Sequence, residues 1–260
     1  MSNMILRTNL AETTHRPWPL PSQPWVMRQT WHDLLFAHWP IAVETLRALV
    51  PLPLEIDTFD GVGWVGVIPF RMSHVRPRYV PALPWLSAFP ELNVRTYVRG
   101  PNPGDPKPGV YFFSLDAANP LAVAGARLGF RLPYYRAAMR LQETNGTIHY
   151  SSTRTHAGAP PAQFVARYGP TGGVYHSRDG SLEAWLTERY CLYTVDGQQR
   201  AYRAEIQHVR WPLQPASAVI ETNTMAAAAG IELPAVAPLL HFARRLDMVN
   251  WLLQPVEPHV

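Results

Sequence analysis

Polar and apolar residues alternate with period two from Glu91 to Val98: Glu91, Asn93, Arg95 and Tyr97 on one parity, Leu92, Val94, Thr96 and Val98 on the other. On a strand the two parities face opposite sides, so this segment predicts a strand with one polar and one apolar face. Other strands are predicted at 54–59 and 64–70, flanking the turn Asp60-Gly61-Val62-Gly63, and at 110–115. Residues 137–143 and 147–154 flank Thr144-Asn145-Gly146, the strongest hairpin signal in the chain. Residues 190–195 and 199–209 flank Asp196-Gly197, and strands at 216–222 and 239–246 close the sequence. Pro69 and the prolines between Pro77 and Pro90 are expected to end the first hairpin in a long irregular connection.

Helical signals are fewer. Residues 33–49 (DLLFAHWPIAVETLRAL) predict two helical pieces, with Pro40 starting the second, where a missing N–H costs nothing. Residues 120–129 form a short alanine-rich helix candidate. Residues 181–188 form another, with Ser181 as N-cap and Glu183 in the first turn. Residues 155–180 read as a loop rich in proline and glycine. Many hairpins with few helices predict an antiparallel sheet or barrel with helices at its margins, an α+β fold. The organisation expected is an extended proline- and tryptophan-rich arm over 1–24 followed by a single domain over 25–260.

Composition narrows the class. Hydrophobic residues make up 47% and charged residues 16%, a globular balance. The formal charge of +4 is modest, the arginines are dispersed, and no basic run accompanies them, so nucleic acid is not expected as a partner. No apolar run reaches membrane-spanning length, and no membrane partner is expected. The single cysteine, Cys191, excludes an internal disulfide and fits a reducing cytoplasm. An oligomer of like chains is compatible with all of this.

Lys107 is the only lysine, in the loop 100–109 (GPNPGDPKPG); the remaining positive side chains are arginines. Arginine stays protonated and cannot supply the neutral amine of Schiff-base chemistry. His32 and His38 are six apart and His149 and His156 seven apart, so neither pair shares a face for a metal. No metal and no cofactor are expected. Asp116 reads as a turn or cap residue, Cys191 as a core residue, and His38 as a packing histidine.

Five phrases occur in order: DLLFAHWPI at 33–41, FDGVGWVGVIPF at 59–70, FPELNVRTYV at 89–98, GVYFFSLDA at 109–117 and ARLGFRLPYY at 126–135. They resemble the DUF2071 family, also named after YqjF. That family is similar in turn to acetoacetate decarboxylase, whose fold is a cone-like antiparallel β-barrel around an internal cavity. The resemblance thus implies an acetoacetate decarboxylase-like curved antiparallel sheet or barrel enclosing a cavity. In the decarboxylase the segment matching 125–135 carries an arginine and a Pro-Lys-Lys run whose first lysine forms the Schiff base. Aligned without gaps, the arginine falls on Arg127, the proline on Pro133, and the lysines on Tyr134 and Tyr135. A pocket glutamate falls on Glu91. A phenol has no imine chemistry, so the iminium mechanism is excluded.

Each candidate has an ordinary structural role beside a functional one. The polar row Glu91, Asn93, Arg95 and Tyr97 faces water on periodicity alone, or a pocket if the cavity lies on that side. Glu91 and Arg95 stand about 13 Å apart along the strand at roughly 3.3 Å per residue, so each needs a partner from elsewhere. The resemblance makes Arg127 the partner for Glu91. Arg127 is either a helix C-terminal cation or a clamp for a carboxylate or phosphate. Adjacent strand residues face oppositely, so of Tyr134 and Tyr135 one is expected in the cavity, and the alignment favours Tyr134.

Two functions follow. One is a non-catalytic protein whose cavity binds a small anionic organic molecule. The other is a lysine-independent enzyme of lyase, isomerase or hydrolase type, with Glu91 as acid or base, Tyr134 as hydrogen-bond donor, and Arg127, Asn93, Arg95, Tyr97 and Tyr135 around the ligand. A scaffold role is weakly supported by the tryptophan-rich arm.

Overall fold

The computed structural model describes residues 10–83, 86–105 and 107–256. Thirteen strands form one sheet: β1 (Met27–Ile41), β2 (Glu55–Ile56), β3 (Gly63–Pro77), β4 (Phe89–Arg99), β5 (Gly109–Ala117), β6 (Tyr134–Thr144), β7 (Thr147–Arg154), β8 (Gln163–Pro170), β9 (Cys191–Val195), β10 (Ala201–His208), β11 (Gln214–Asn223), β12 (Leu239–Asn250) and β13 (Gln254–Pro255). Three short α-helices lie wholly among the described residues: α1 (Val43–Leu49), α2 (Pro120–Phe130) and α3 (Leu182–Thr187).

The sheet closes twice. Strands β5 and β12 each change partner along their length. β5 pairs with β9 at Val110 and Tyr111 but with β6 from Leu115 to Ala117. β12 pairs with β11 at His241 and Phe242 but with β10 from Met248 to Asn250. The five strands β12-β1-β3-β4-β5 are therefore a wall shared by two rings. Strands β6-β7-β8-β11 complete a nine-stranded barrel, and β9-β10 complete a second ring on the other side. The β5–β6 and β5–β9 pairings are parallel, which makes the barrel mixed. Helix α2 supplies the crossover between β5 and β6.

A wall between two interiors has both faces covered, and most of each is apolar. Leu35, Val67, Leu92 and Val94 pack into the barrel with Ile148, Tyr150, Phe164, Tyr168 and Phe242. Leu34, Phe36, Ile68, Phe70 and Met72 pack on the opposite side. This explains why residues 33–41 are strand and not the expected helix. Leu34-Leu35-Phe36-Ala37 is a continuous apolar run because both faces are covered, and such a run has no period-two signature.

Strand β1 also carries a bulge. Between its registers with β3 at His32↔Arg71 and Ala37↔Val67, β1 has one more residue than β3. Asp33, at φ 51°, lies in this stretch. An inserted residue inverts parity: Trp31 faces the second ring before the bulge, and Leu34 and Phe36 face it afterwards. Buried Asp33 is held by Arg71 and Arg244, each at 2.7 Å, and its carbonyl accepts from the Tyr168 hydroxyl at 2.9 Å. Opposite the bulge, Pro69 falls in the gap of the β1–β3 ladder, so β3 continues through it to Pro77.

Three other expectations change. The turn at 60–63 forms, with Asp60 and Gly61 both at positive φ, but 55–56 pairs with β4 because β3 already has β1 and β4 at its two edges. Strand β8 lies inside the expected loop. Phe164, Ala166 and Tyr168 alternate inward there, and flanking prolines and glycines masked the signal. Asp116 is a fully buried β5 residue, not a turn residue; it accepts Arg154 Nη2 at 2.7 Å and Nε at 3.0 Å. The Asn145-Gly146 hairpin and the Ser181 cap are found as predicted.

Of the arm, residues 1–9 lie outside the described residues. Arg16 is buried against Glu205 of β10 and donates to the Ile206 carbonyl, and Trp18 Nε1 donates to Glu205 at 2.8 Å. No helix among the described residues is long and apolar enough to cross a membrane.

Removing one member of a buried ion pair typically costs about 3–5 kcal/mol, because the other is left uncompensated. Asp116→Ala is expected to lower the unfolding free energy by that amount in urea titrations. A loss under about 1 kcal/mol would mean that the pair does not fasten β5 to the β7 end.

Candidate functional site

The second ring encloses a cavity of about 430 Å³. Apolar side chains supply most of its wall, among them Trp31, Ile68, Phe70, Phe112, Leu115 and Met248, and Leu121, Ala122 and Phe130 of α2 cover it. Pro120 occupies the first turn of α2. Asn119 caps it, accepting from the Leu121 and Ala122 N–H groups, and its own amide reaches the Leu86 carbonyl at 3.3 Å.

The polar row of β4 faces this cavity. Glu91, Asn93 and Arg95 line it, while Leu92 and Val94 point into the barrel core. The alternation therefore separates two interiors, not core from solvent. Tyr97 continues the row but is fully buried behind it and does not line the cavity. Its hydroxyl donates to the Leu186 carbonyl at 2.9 Å and lies 2.7 Å from His38 Nε2, so His38 donates there. Burial, with repulsion from Arg95 and His241, holds the His38 pKa well below its ordinary value.

Tyr134 and Tyr135 diverge as adjacent strand residues must. Tyr134 lines the cavity and donates to Glu91 Oε2 at 2.7 Å. Tyr135 lies outside it, with the Arg154 guanidinium 4.1 Å from its ring centroid and His156 at 5.5 Å. Arg127 is not brought to Glu91. It is exposed on α2 and donates to the Tyr134 carbonyl at 2.8 Å, with the Tyr135 ring 6.0 Å away. Arg127 lies in the last turn of α2 on its exposed side, and the Tyr134 hydroxyl takes the role expected of it as partner of Glu91.

Burial raises the Glu91 pKa to about 8, and nearby Asp116 adds to the rise; the Tyr134 hydrogen bond opposes it. At neutral pH this side chain is a carboxylic acid, able to donate as well as accept. The Tyr134 hydroxyl is pushed well above its ordinary value, by burial first and by Glu91 second.

Four residues along the row, Arg95 donates weakly to the Leu186 carbonyl at 3.2 Å, and its guanidinium lies 5.5 Å from the Phe36 ring centroid. Among the described residues no carboxylate pairs with it, and its Nε has no partner. Asn93 is 5% exposed, and its Oδ1 also lacks a partner. Sequence reasoning missed Arg189, which lines the same cavity. It pairs with Asp57 at 2.6 Å, lies 4.2 Å from the Trp185 and 4.8 Å from the Tyr97 ring centroids, and leaves Nη2 unpartnered. Nothing in its local pattern, Thr187-Glu188-Arg189-Tyr190, marks it, because its partners come from distant segments.

Lys107 is held elsewhere. Its ammonium pairs with Glu205 at 2.8 Å and lies 5.5 Å from the Trp18 ring centroid, and it does not line the cavity. Among the described residues no three His, Cys, Asp or Glu side chains converge as a metal site requires.

Comparison with known proteins agrees with this fold. The DUF2071 family, described as an uncharacterized conserved protein, matches residues 28–247. The uncharacterized protein YqjF of Bacillus subtilis (strain 168) is 47% identical over 235 residues, covering 90% of this chain and 94% of YqjF. Among solved structures, acetoacetate decarboxylase from Legionella pneumophila superposes with a TM-score of 0.58 at 14% identity, covering 97% of this chain and 96% of that one. The enduracididine biosynthesis enzyme MppR, complexed with the condensation product of pyruvate and imidazole 4-carboxaldehyde, gives 0.60 at 8% identity, covering 92% of each chain. At these identities the solved structures establish the shared fold alone.

A carboxyl that holds its proton more tightly in the folded than in the unfolded chain loses stability as pH rises. For Glu91 the window runs from the ordinary value of 4.5 to about 8. Wild-type protein is expected to lose stability relative to Glu91→Gln across that window, by at most about 5 kcal/mol at about 1.4 kcal/mol per pH unit. Parallel urea denaturation curves at pH 5 and pH 8.5 for both proteins would contradict it.

Proposed function

The chain belongs to the DUF2071 family, and on that premise we propose that it binds a small anionic organic molecule in the cavity of the second ring, without Schiff-base chemistry. The observation that carries this reading is Arg95. A guanidinium with no carboxylate partner lines a mostly apolar cavity, where an isolated charge is costly. A bound anion would repay that cost and satisfy its unpartnered Nε, with Arg189 Nη2 as a second donor. The volume falls within the ordinary range for small-molecule sites, about 300–1,000 Å³.

A second reading is supported by the acid pair. Glu91 titrates near neutrality beside a hydroxyl donor at 2.7 Å, a setting suited to general acid work on a carbonyl or ether oxygen. In that enzyme Arg95 would hold the anion in place of Arg127. Asp116, the other nearby carboxylate, is engaged by Arg154 and is no candidate for a base.

Two measurements test the proposal. In a thermal-shift screen of small carboxylates and phosphates, a true ligand at 100 times its dissociation constant should add about 2.7 kcal/mol to stability. Arg95→Met should lower its affinity at least tenfold. Equal binding by the wild type and Arg95→Met would refute the proposal. Borohydride reduction in the presence of pyruvate or acetoacetate should leave the protein mass unchanged. An adduct on Lys107 would return the iminium mechanism to consideration.

A further inference from the structure

Resting on that reading of the cavity, we infer that its ligand is an extended, singly charged carboxylate with an apolar body and a hydroxyl or amide group near its middle. Three features of the wall specify this. The first is charge. Arg189 pairs with Asp57, which also holds the half-exposed Arg99, while Arg76 stands at the far end of β3, half-buried and donating to the Val80 carbonyl at 3.0 Å. Arg95 is thus the cation within the row that lacks a carboxylate among the described residues. The one guanidinium of the row, without a carboxylate partner among the described residues, matches one negative charge. A second would be left without a counter-ion, because burial keeps Glu91 neutral but gives it no positive charge.

The second feature is length. Arg95, Asn93 and Glu91 follow one another on the same face of β4, spanning about 13 Å. An unbranched chain of about ten carbons covers a similar distance. The apolar partners along it are Ile68, Phe70, Phe112 and Leu115. The third feature is Asn93. Its buried amide oxygen Oδ1, about 6.6 Å from Arg95 along the strand, has no hydrogen-bond partner among the described residues. An apolar chain passing over it would leave this acceptor unmet, at a cost. A hydroxyl or an amide N–H at that level of the ligand supplies the donor it lacks.

Isothermal titration at pH 7 with decanoate, 5-hydroxydecanoate, decanedioate and decyl phosphate tests this. Decanoate is expected to bind at least tenfold more tightly than decanedioate or decyl phosphate, and 5-hydroxydecanoate at least threefold more tightly than decanoate. Asn93→Leu should erase the advantage of the hydroxyl, so that decanoate and 5-hydroxydecanoate bind that variant within threefold of each other; Arg95→Met should weaken both. Preference for the diacid or the phosphate, or no gain from the hydroxyl, overturns the inference while leaving anion binding in place. If none of the four binds wild-type protein, this inference fails and the screen of smaller anions decides the broader proposal. Circular dichroism of each variant separates loss of the site from loss of the fold.

Discussion

A wall of five strands that serves two interiors is the constraint on which the rest of this molecule depends. The central residues of β1, β3 and β4 must suit either the barrel core or the cavity, because both of their faces are covered. The bulge at Asp33 makes this workable. It lets one strand change the parity of its inward residues midway, and two arginines and a tyrosine hold the extra residue in place. Without it, Leu34 and Phe36 would exchange compartments with Leu35 and Ala37.

The two interiors are built to different standards. The barrel is filled by aromatic and branched side chains with hydroxyls directed to backbone carbonyls, as Tyr150 does toward Glu91 and Tyr168 toward Asp33. The cavity keeps an acid, an amide and a guanidinium on one side, with the Asn93 Oδ1 and Arg95 Nε atoms unpartnered among the described residues. Apolar residues of similar size in their place would be less costly to bury. Retaining polar groups where packing alone would favour hydrocarbon is the pattern expected of a site and not of a core.

Much of this was legible in the residues. Period-two alternation in β4 identified both faces, and Asn145-Gly146 and Ser181 marked a hairpin and a helix start by local chemistry alone. The five ordered phrases led to the family and to the barrel. What failed did so for physical reasons. The apolar run in β1 looked helical because a strand buried on two sides has no alternation. Strand β8 was hidden between prolines and glycines. Arg127 was placed by analogy with a pocket arginine, but α2 leaves it on the outer surface, and Tyr134 meets Glu91 instead. Arg189 owes its position to Asp57, more than a hundred residues away.

Glu205 collects four cationic or donor groups: Lys107 from a loop, Arg16 and Trp18 from the arm, and Arg203 from its own strand. Since Lys107 is the one lysine in the sequence, this node also contains the chain's single side-chain amine. An acylating reagent would therefore mark one side chain, and its rate would follow how often that amine leaves its carboxylate. Because the arm closes over the same carboxylate, a covalent tag at one atom becomes a clock for the docking of the N-terminal segment.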